Sequence, residues 1–121
     1  MAKNKSSGYK HPGGVIGFPR IVLRSEAYRD LSTNARALML ELQDVWRPME
    51  PKTHYSTRRA SKALGIAHGS AAKAFKELAE HFFIKCVGES DWFNGKAREW
   101  SLTWLSYNGR EPSNDWQSWK K

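Results

Sequence analysis

Cysteine is almost absent from this chain of 121 residues. Cys86 stands alone, so no disulfide can form within the chain, and we expect a reducing compartment. Its neighbours Ile84 and Val87 are apolar, which favours an inert position in the core. Apolar runs of the roughly 18 residues that a membrane span needs are absent too, and MAKNKSSGYKHPGG lacks the apolar core of a signal peptide. These absences predict a cytoplasmic protein with no membrane partner.

Acidic residues are missing from two long windows. No Asp or Glu occurs from Met1 to Ser25, and none occurs between Glu50 and Glu77. The formal net charge of the whole chain is +8. A solvated helix face normally mixes charges of both signs, so the second window favours a phosphate-facing surface over an ordinary basic one. The cations of this window are Lys52, Arg58, Arg59, Lys62, Lys73 and Lys76.

Motifs for catalysis are missing as well. The histidines have no metal-ligand spacing, and the chain contains no glycine-rich phosphate loop and no nucleophile motif. We therefore expect neither an enzyme nor a bound metal or other cofactor.

The composition divides the chain into three parts. Residues 1–17 are rich in Lys, Ser, Gly and Asn and have little to bury, which is typical of a flexible basic arm. Residues 18–105 are expected to form one domain, in which Ile21–Leu23 is either strand or helix. Residues 106–121 form a tail that we expect to pack on this domain through Trp116 and Trp119.

Serine residues mark the expected starts of the first helices. Ser25 precedes a short helix towards Leu31, and Ser32 precedes TNARALMLELQDVW, whose apolar residues recur at helical spacing. Pro48 and Pro51 disfavour helix at the residues before them. Residues 47–55 are therefore predicted to be a linker loop.

Two further helices are joined by a tight turn. Ser56 can cap a helix over residues 57–64, and Gly65 can adopt the positive φ that ends it. The next helix is predicted to expose Gly69, Lys73, Lys76 and Glu80 and to bury Ala71, Ala74, Phe75, Leu78 and Phe82.

The segments FIKCV and REWSLTWL are predicted strands, because the second alternates apolar and polar residues. Between them GESDWFNGKA contains Asn94-Gly95, a strong turn signal, so the pair is predicted to be a hairpin. Trp92 and Phe93 near its tip either contact a partner or fold under the hairpin. The predicted fold is mainly α with a C-terminal β-hairpin, a winged helix-turn-helix.

These segments resemble the small winged helix-turn-helix proteins of bacterial phages, plasmids and other mobile elements. The pattern S-A-Y-x-x-L-S-x-x-A-R-x-L of that family is similar to Ser25–Leu38, L-G-I and L-x-x-x-x-F-I to Leu64–Ile84, and E-W-x-L-T to Glu99–Thr103. The resemblance covers residues 17–105. It implies binding of double-stranded DNA, in transcriptional regulation or in control of plasmid or phage replication.

Three departures from the family concern the base-reading helix. Ala67 stands where Ser or Thr is usual, and Phe82 stands where the helix-ending Gly is usual. Ala67 leaves the first amides of the helix without a side-chain acceptor, unless Ser70 caps a later start. The base-facing positions offer no Arg, Asn or Gln for bidentate contacts, so we expect phosphate contacts and weak base readout. These positions are His68, Gly69, Ala72, Lys73 and Lys76.

The candidate DNA-binding residues come from both helices and from the hairpin. Arg58 and Arg59 lie in the first turn of their helix, where a positive charge opposes the helix dipole. We interpret them as a phosphate clamp, with two tolerated surface arginines as the alternative. The full set is Arg58, Arg59, Lys62, His68, Gly69, Ser70, Lys73, Lys76, Lys96 and Arg98.

A second class of function stays open, in which the same scaffold inhibits or assists a host or phage protein, for example in anti-defence. The weak base-reading face favours this class, whereas the acid-free window and the basic arm favour DNA. A homodimer also stays open, because two copies of the chain can read paired half-sites.

Overall fold

The computed structural model describes residues 10–87 and 99–121. These residues form five α-helices, a three-stranded antiparallel sheet and one 3-10 helix. The helices are α1 (Arg20–Leu23), α2 (Glu26–Arg29), α3 (Thr33–Val45), α4 (Thr57–Leu64) and α5 (His68–Glu80). The strands are β1 (Thr53–His54), β2 (Ile84–Val87) and β3 (Glu99–Leu102), and the 3-10 helix spans Asp115–Ser118.

Serine side chains begin three of these helices, as predicted. Ser25, Ser32 and Ser56 are the N-caps of α2, α3 and α4, and each side-chain oxygen accepts a hydrogen bond from the amide three residues later. Each such cap is worth about 1 kcal/mol. Gly65 ends α4 with φ of 66°, the predicted left-handed conformation. Ile21–Leu23, open between strand and helix, lies in α1.

The core lies between α3, α4, α5 and one face of the sheet. The ring of Trp100 stacks on Phe75, with 5.0 Å between the centroids and 15° between the planes. Its indole N–H donates to the carbonyl oxygen of Tyr55 at 3.1 Å. One aromatic stack thus joins the sheet to α5. Other fully buried side chains are Leu38, Met39, Leu42, Leu78, Phe83, Ile84 and Leu102.

The sheet has the order β1-β3-β2. β2 and β3 pair antiparallel with Ile84 opposite Leu102, which confirms the predicted pairing of the hairpin strands. β1 pairs with the other edge of β3, where Thr53 lies opposite Trp100. The prediction of a linker loop over residues 47–55 is therefore wrong for Thr53–His54, which form β1. A strand of two residues is too short to show an alternating pattern in the sequence.

Cys86 is exposed, so its predicted place in the core is wrong. It lies opposite Trp100, and residues directly opposite each other share one face of a sheet. Trp100 is fully buried, and Ile84, two residues before Cys86, is 1% exposed. The helical layer therefore covers the start of β2 and ends before Cys86.

The chain leaves α5 through a Schellman motif with a phenylalanine in the left-handed position. The amide of Phe83 donates to the carbonyl of Leu78 at 3.0 Å, and that of Phe82 to Ala79 at 3.1 Å. Phe82 has φ of 67° and is 43% exposed, whereas Phe83 is buried. The prediction that Phe82 is buried is therefore wrong. The buried residue is Phe83, because the left-handed turn directs the side chain after Phe82 into the core.

Replacing Phe82 by glycine is expected to stabilise the protein by about 0.5–1 kcal/mol. A side chain in the left-handed region costs about 1–2 kcal/mol, and glycine, which removes this strain, loses about 0.5–1 kcal/mol more chain entropy on folding. Phe82→Ala keeps the Cβ atom and is the matched control, for which we expect no gain. Urea unfolding followed by circular dichroism measures both variants. A glycine variant less stable than the alanine variant would contradict the strain argument.

Glu77 of α5 joins this helix to the start of α3. Its carboxylate accepts hydrogen bonds from the backbone N–H of Ser32 at 2.5 Å and from the Ser32 hydroxyl at 2.8 Å. The contact satisfies a backbone donor of the N-cap residue and places negative charge at the positive end of the α3 dipole.

Glu77→Ala is expected to lower the free energy of unfolding by about 1–2 kcal/mol, because it removes two charge-assisted hydrogen bonds and a favourable charge at a helix start. Glu80→Ala is the control, since Glu80 is exposed on the same helix. Its effect should stay within about 0.5 kcal/mol. Equal losses for the two variants in urea unfolding would show that the contact with Ser32 contributes nothing.

The tail packs on the domain through aromatic rings. Trp116 is buried and stacks on Phe83, with 6.0 Å between the centroids and 19° between the planes. Trp119 stacks on His81, with 4.6 Å between the centroids. The tail therefore covers the core where the chain leaves α5.

Candidate nucleic-acid interface

A short turn holds α4 against α5. The amide of Ile66 donates to the carbonyl of Ser61 at 3.1 Å, and the Ser61 hydroxyl donates to the carbonyl of Ile66 at 2.6 Å. Ile66 is partly buried against the core. These contacts fix the position of α4 relative to α5.

The first turn of α5 has no side-chain cap. Ala67 is the N-cap residue, and the proposal that Ser70 caps a later start is wrong. The first intrahelical bond runs from the amide of Ala71 to the carbonyl of Ala67 at 3.0 Å. Within the part of the chain that the structure describes, the amides of His68, Gly69 and Ser70 have no acceptor. They carry the partial positive charge of a helix N-terminus.

The cations of α4 and α5 form no direct ion pairs among the described residues. Lys52, Lys85 and Lys121, elsewhere on the surface, each pair with a carboxylate. We call the predicted residues of α4 and α5 the α4–α5 face; all are exposed except Ser70, which is half-buried. They are Arg58, Arg59, Lys62, His68, Gly69, Ser70, Lys73 and Lys76.

Tyr55 supports Arg59 and was not singled out by the sequence analysis. The guanidinium carbon of Arg59 lies 4.6 Å from the centroid of the Tyr55 ring. Burial raises the pKa of Tyr55, and its hydroxyl donates to Glu41 at 3.3 Å, which fixes the ring. A guanidinium stacked on a fixed ring keeps its N–H groups available for a second ligand. The sequence shows only that Tyr55 lies four positions before Arg59, and the contact itself depends on the path of the chain between β1 and α4.

Charge changes sign along the exposed side of α5. The cations of its outer surface lie in the first two-thirds of the helix, whereas Glu77 and Glu80 lie near its end. A cavity of about 710 Å³ follows this side and reaches the start of α4 and strand β3. A polyanion is therefore attracted to the N-terminal part of α5 and repelled from its end. Among the described residues, the ionisable side chains of the cavity wall are Asp30, Lys73, Lys76, Glu77, Glu80 and His81.

His81 is a structural link at the end of α5. Its Nε2 contacts Asp30 Oδ2 at 2.8 Å, and its Nδ1 contacts the carbonyl oxygen of Glu77 at 2.8 Å. Lys121 Nζ lies 3.2 Å from Asp30 Oδ1. The hydrogen bond from His81, followed by that from Lys121, holds the pKa of Asp30 below its usual range. This cluster joins α2, α5 and the tail.

The predicted contacts of the hairpin, Lys96 and Arg98, lie outside the described residues, as do the Asn94-Gly95 turn and residues 1–9. At the base of the hairpin, Glu99 contacts Lys52 Nζ at 2.8 Å and His54 Nε2 at 3.2 Å. The hydrogen bond from Lys52 lowers the pKa of Glu99. Lys52 is therefore neutralised, although the acid-free window contains it.

Comparison with protein-family models, with curated proteins and with solved structures gave no match. No helix within the described residues is long and apolar enough to cross a membrane. In the same residues, no group of three or more His, Cys, Asp or Glu side chains could hold a metal ion. The functional conclusion therefore rests on the charge, the exposure and the contacts of the α4–α5 face.

Proposed function

We propose that the protein is a winged helix-turn-helix protein that binds double-stranded DNA and acts in transcriptional regulation or in control of replication. The observation that carries this proposal is the set of exposed cations on the α4–α5 face, which form no direct ion pair among the described residues. The arrangement supports it, because two packed helices joined by a tight turn precede an antiparallel pair of strands.

The start of α4 acts as a phosphate clamp. Arg58 and Arg59 lie in its first turn, where the helix dipole makes positive charge locally unfavourable. Arg59 is held by Tyr55, and Lys62 follows on the same exposed side. Arg58 and Arg59 reduce local stability and present their charge to solvent. Binding of an anionic ligand explains such residues better than a packing role does.

The N-terminal part of α5 enters the major groove in this proposal. Its free amides at His68 and Gly69 suit a phosphate oxygen, with the dipole adding to the attraction. Lys73 and Lys76 reach phosphates or guanine edges. Glu77, engaged with Ser32, lies past this part and keeps the end of the helix away from the DNA backbone.

Base discrimination by this face is weak, because a lysine ammonium is a single point charge without the fork of arginine or the paired groups of asparagine. Higher specificity then requires help. A homodimer that reads paired half-sites supplies it in one way, and a protein partner supplies it in another.

Random-sequence duplex DNA is expected to bind with a micromolar Kd at about 50 mM salt. Neutralising roughly five phosphates gives a salt slope of about −4.5, so affinity should fall by about 10²–10³-fold at about 200 mM salt. Fluorescence anisotropy with a labelled duplex of mixed sequence measures both quantities. The absence of binding at the lower salt concentration would remove the DNA proposal.

The second candidate, a regulator that binds a host or phage protein through the same face, is favoured by the lack of bidentate side chains on α5. It predicts that duplex DNA does not bind. The anisotropy titration therefore separates the two candidates.

A further inference from the structure

A second concave surface lies outside the α4–α5 face. It has a volume of about 600 Å³ and lies between α1, the start of α2 and the 3-10 helix of the tail. Among the described residues, none that lines it belongs to the predicted DNA site. We call it the α1–tail groove, and the lining residues that matter are Arg20, Ile21, Arg24, Trp116, Trp119 and Lys120.

The α1–tail groove combines a fixed aromatic wall with an exposed aliphatic side chain. Trp116 is 4% exposed and is held by its stack on Phe83. Ile21 of α1 is 63% exposed, although its neighbour Val22 is buried. Ile21 therefore provides contact area for an apolar group of a ligand, and the nearly buried Trp116 forms a rigid wall beside it.

The charge of the groove is positive. Arg20, Arg24 and Lys120 are exposed, and no ion pair formed by the described residues involves them. Glu26 is the acidic residue of the described lining, and its Oε2 accepts a hydrogen bond from the amide of Lys121 at 3.4 Å. Three unpaired cations against one carboxylate complement an acidic ligand.

Trp119 also lines this groove. One of its faces is covered by His81, with 21° between the ring planes. Within residues 10–87 and 99–121 its indole N–H has no acceptor, whereas the indoles of Trp46, Trp104 and Trp116 each donate a hydrogen bond. This N–H is not among the buried polar atoms without a partner, so it is open to solvent and can donate to a carbonyl of a bound peptide.

We propose that the α1–tail groove binds an acidic peptide segment of a protein partner. An apolar side chain of the peptide contacts Ile21 and the exposed part of Trp119, and its carboxylates lie beside the cations of the rim. Duplex DNA fits this surface less well, because Ile21 offers phosphates only aliphatic surface, whereas a peptide with apolar side chains can use it. Since the groove and the α4–α5 face share no residue, a partner bound here leaves the DNA site open.

The test uses the full chain and a fluorescein-labelled peptide of about 12 residues in which Glu and Asp alternate with Leu and Phe. One matched peptide replaces the acids by Gln and Asn, and the other replaces the apolar residues by Ser. The acidic apolar peptide is expected to bind with a Kd of about 10–100 μM, and each matched peptide at least about tenfold more weakly.

Substitutions in the groove and in the α4–α5 face test where the peptide binds. Ile21→Ser and the double variant Arg20→Glu/Arg24→Glu change exposed side chains, so the fold should be retained, and circular dichroism checks this. Both should weaken peptide binding about tenfold or more and leave duplex DNA binding within about threefold. Arg58→Glu/Lys73→Glu should show the reverse pattern.

Equal binding of the three peptides, or peptide binding that the groove variants leave unchanged, would overturn the proposal. A single-stranded oligonucleotide that displaces the peptide and is sensitive to the same variants would also overturn it, because the groove would then be a nucleic-acid site. If duplex DNA fails to bind and the peptide result holds, the DNA proposal falls and the α1–tail groove stands.

Discussion

Arg58→Glu, Lys73→Glu and Lys76→Glu together are expected to weaken binding of duplex DNA by about 10³-fold or more at about 50 mM salt. Each phosphate contact contributes about one decade of affinity at this salt concentration through counterion release. The salt slope should fall from about −4.5 to about −2, because three of the five expected contacts are removed. Fluorescence anisotropy over a range of salt concentrations measures both changes.

The matched control is the triple variant Arg20→Glu, Arg24→Glu and Arg110→Glu. It changes the net charge of the protein by the same amount at exposed positions outside the α4–α5 face. Its loss of affinity should stay below about tenfold, because interactions beyond the Debye length of about 10 Å are screened. Equal losses for the two triple variants would mean that net charge, and not this face, attracts the DNA.

The helix boundaries could be predicted because their signals are local. Ser25, Ser32 and Ser56 each act through a hydrogen bond to an amide three residues later, so the rest of the chain is not needed to recognise them. Gly65 acts through its own φ angle. The alternation of Trp100, Leu102 and Trp104 is likewise a property of one segment.

The wrong predictions concern features that distant contacts decide. β1 exists because Thr53 finds β3, and Cys86 is exposed because the helical layer ends beside it. The left-handed conformation of Phe82 costs about 1–2 kcal/mol locally. It is retained because Phe83 is then buried, and because the Thr103 hydroxyl donates to the Phe82 carbonyl at 2.8 Å. The residues next to Phe82 in the sequence do not show that these distant contacts offset the local cost.

The candidate site could be predicted as a set of cations but not as an electrostatic surface. The acid-free window contains both Lys52 and Lys73, yet Lys52 pairs with Glu99, which lies far along the chain. Lys73 has no such pair among the described residues. The support of Arg59 by Tyr55 also requires the fold, because it depends on the path of the chain between β1 and α4.

Trp116→Ala is expected to lower the free energy of unfolding by about 3–5 kcal/mol, the usual cost of removing a buried Trp side chain. Trp116 is buried against Phe83, and its indole N–H donates to Asn114 Oδ1 at 3.1 Å. Domains of ordinary size are stable by about 5–15 kcal/mol, so the variant should lie near the edge of folding. Urea unfolding followed by far-UV circular dichroism measures the loss.

Trp119→Ala is the control for this experiment, because Trp119 belongs to the same tail but is only half-buried. Its expected cost is about 1 kcal/mol, from the lost stack on His81 and a smaller apolar area removed from water. A large difference between the two variants would place Trp116 in the core of the domain, so that the tail folds together with α5 and β3. A cost below about 1 kcal/mol for both would mean that the domain is complete near residue 105, and that the tail, with its side of the α1–tail groove, is bound only weakly.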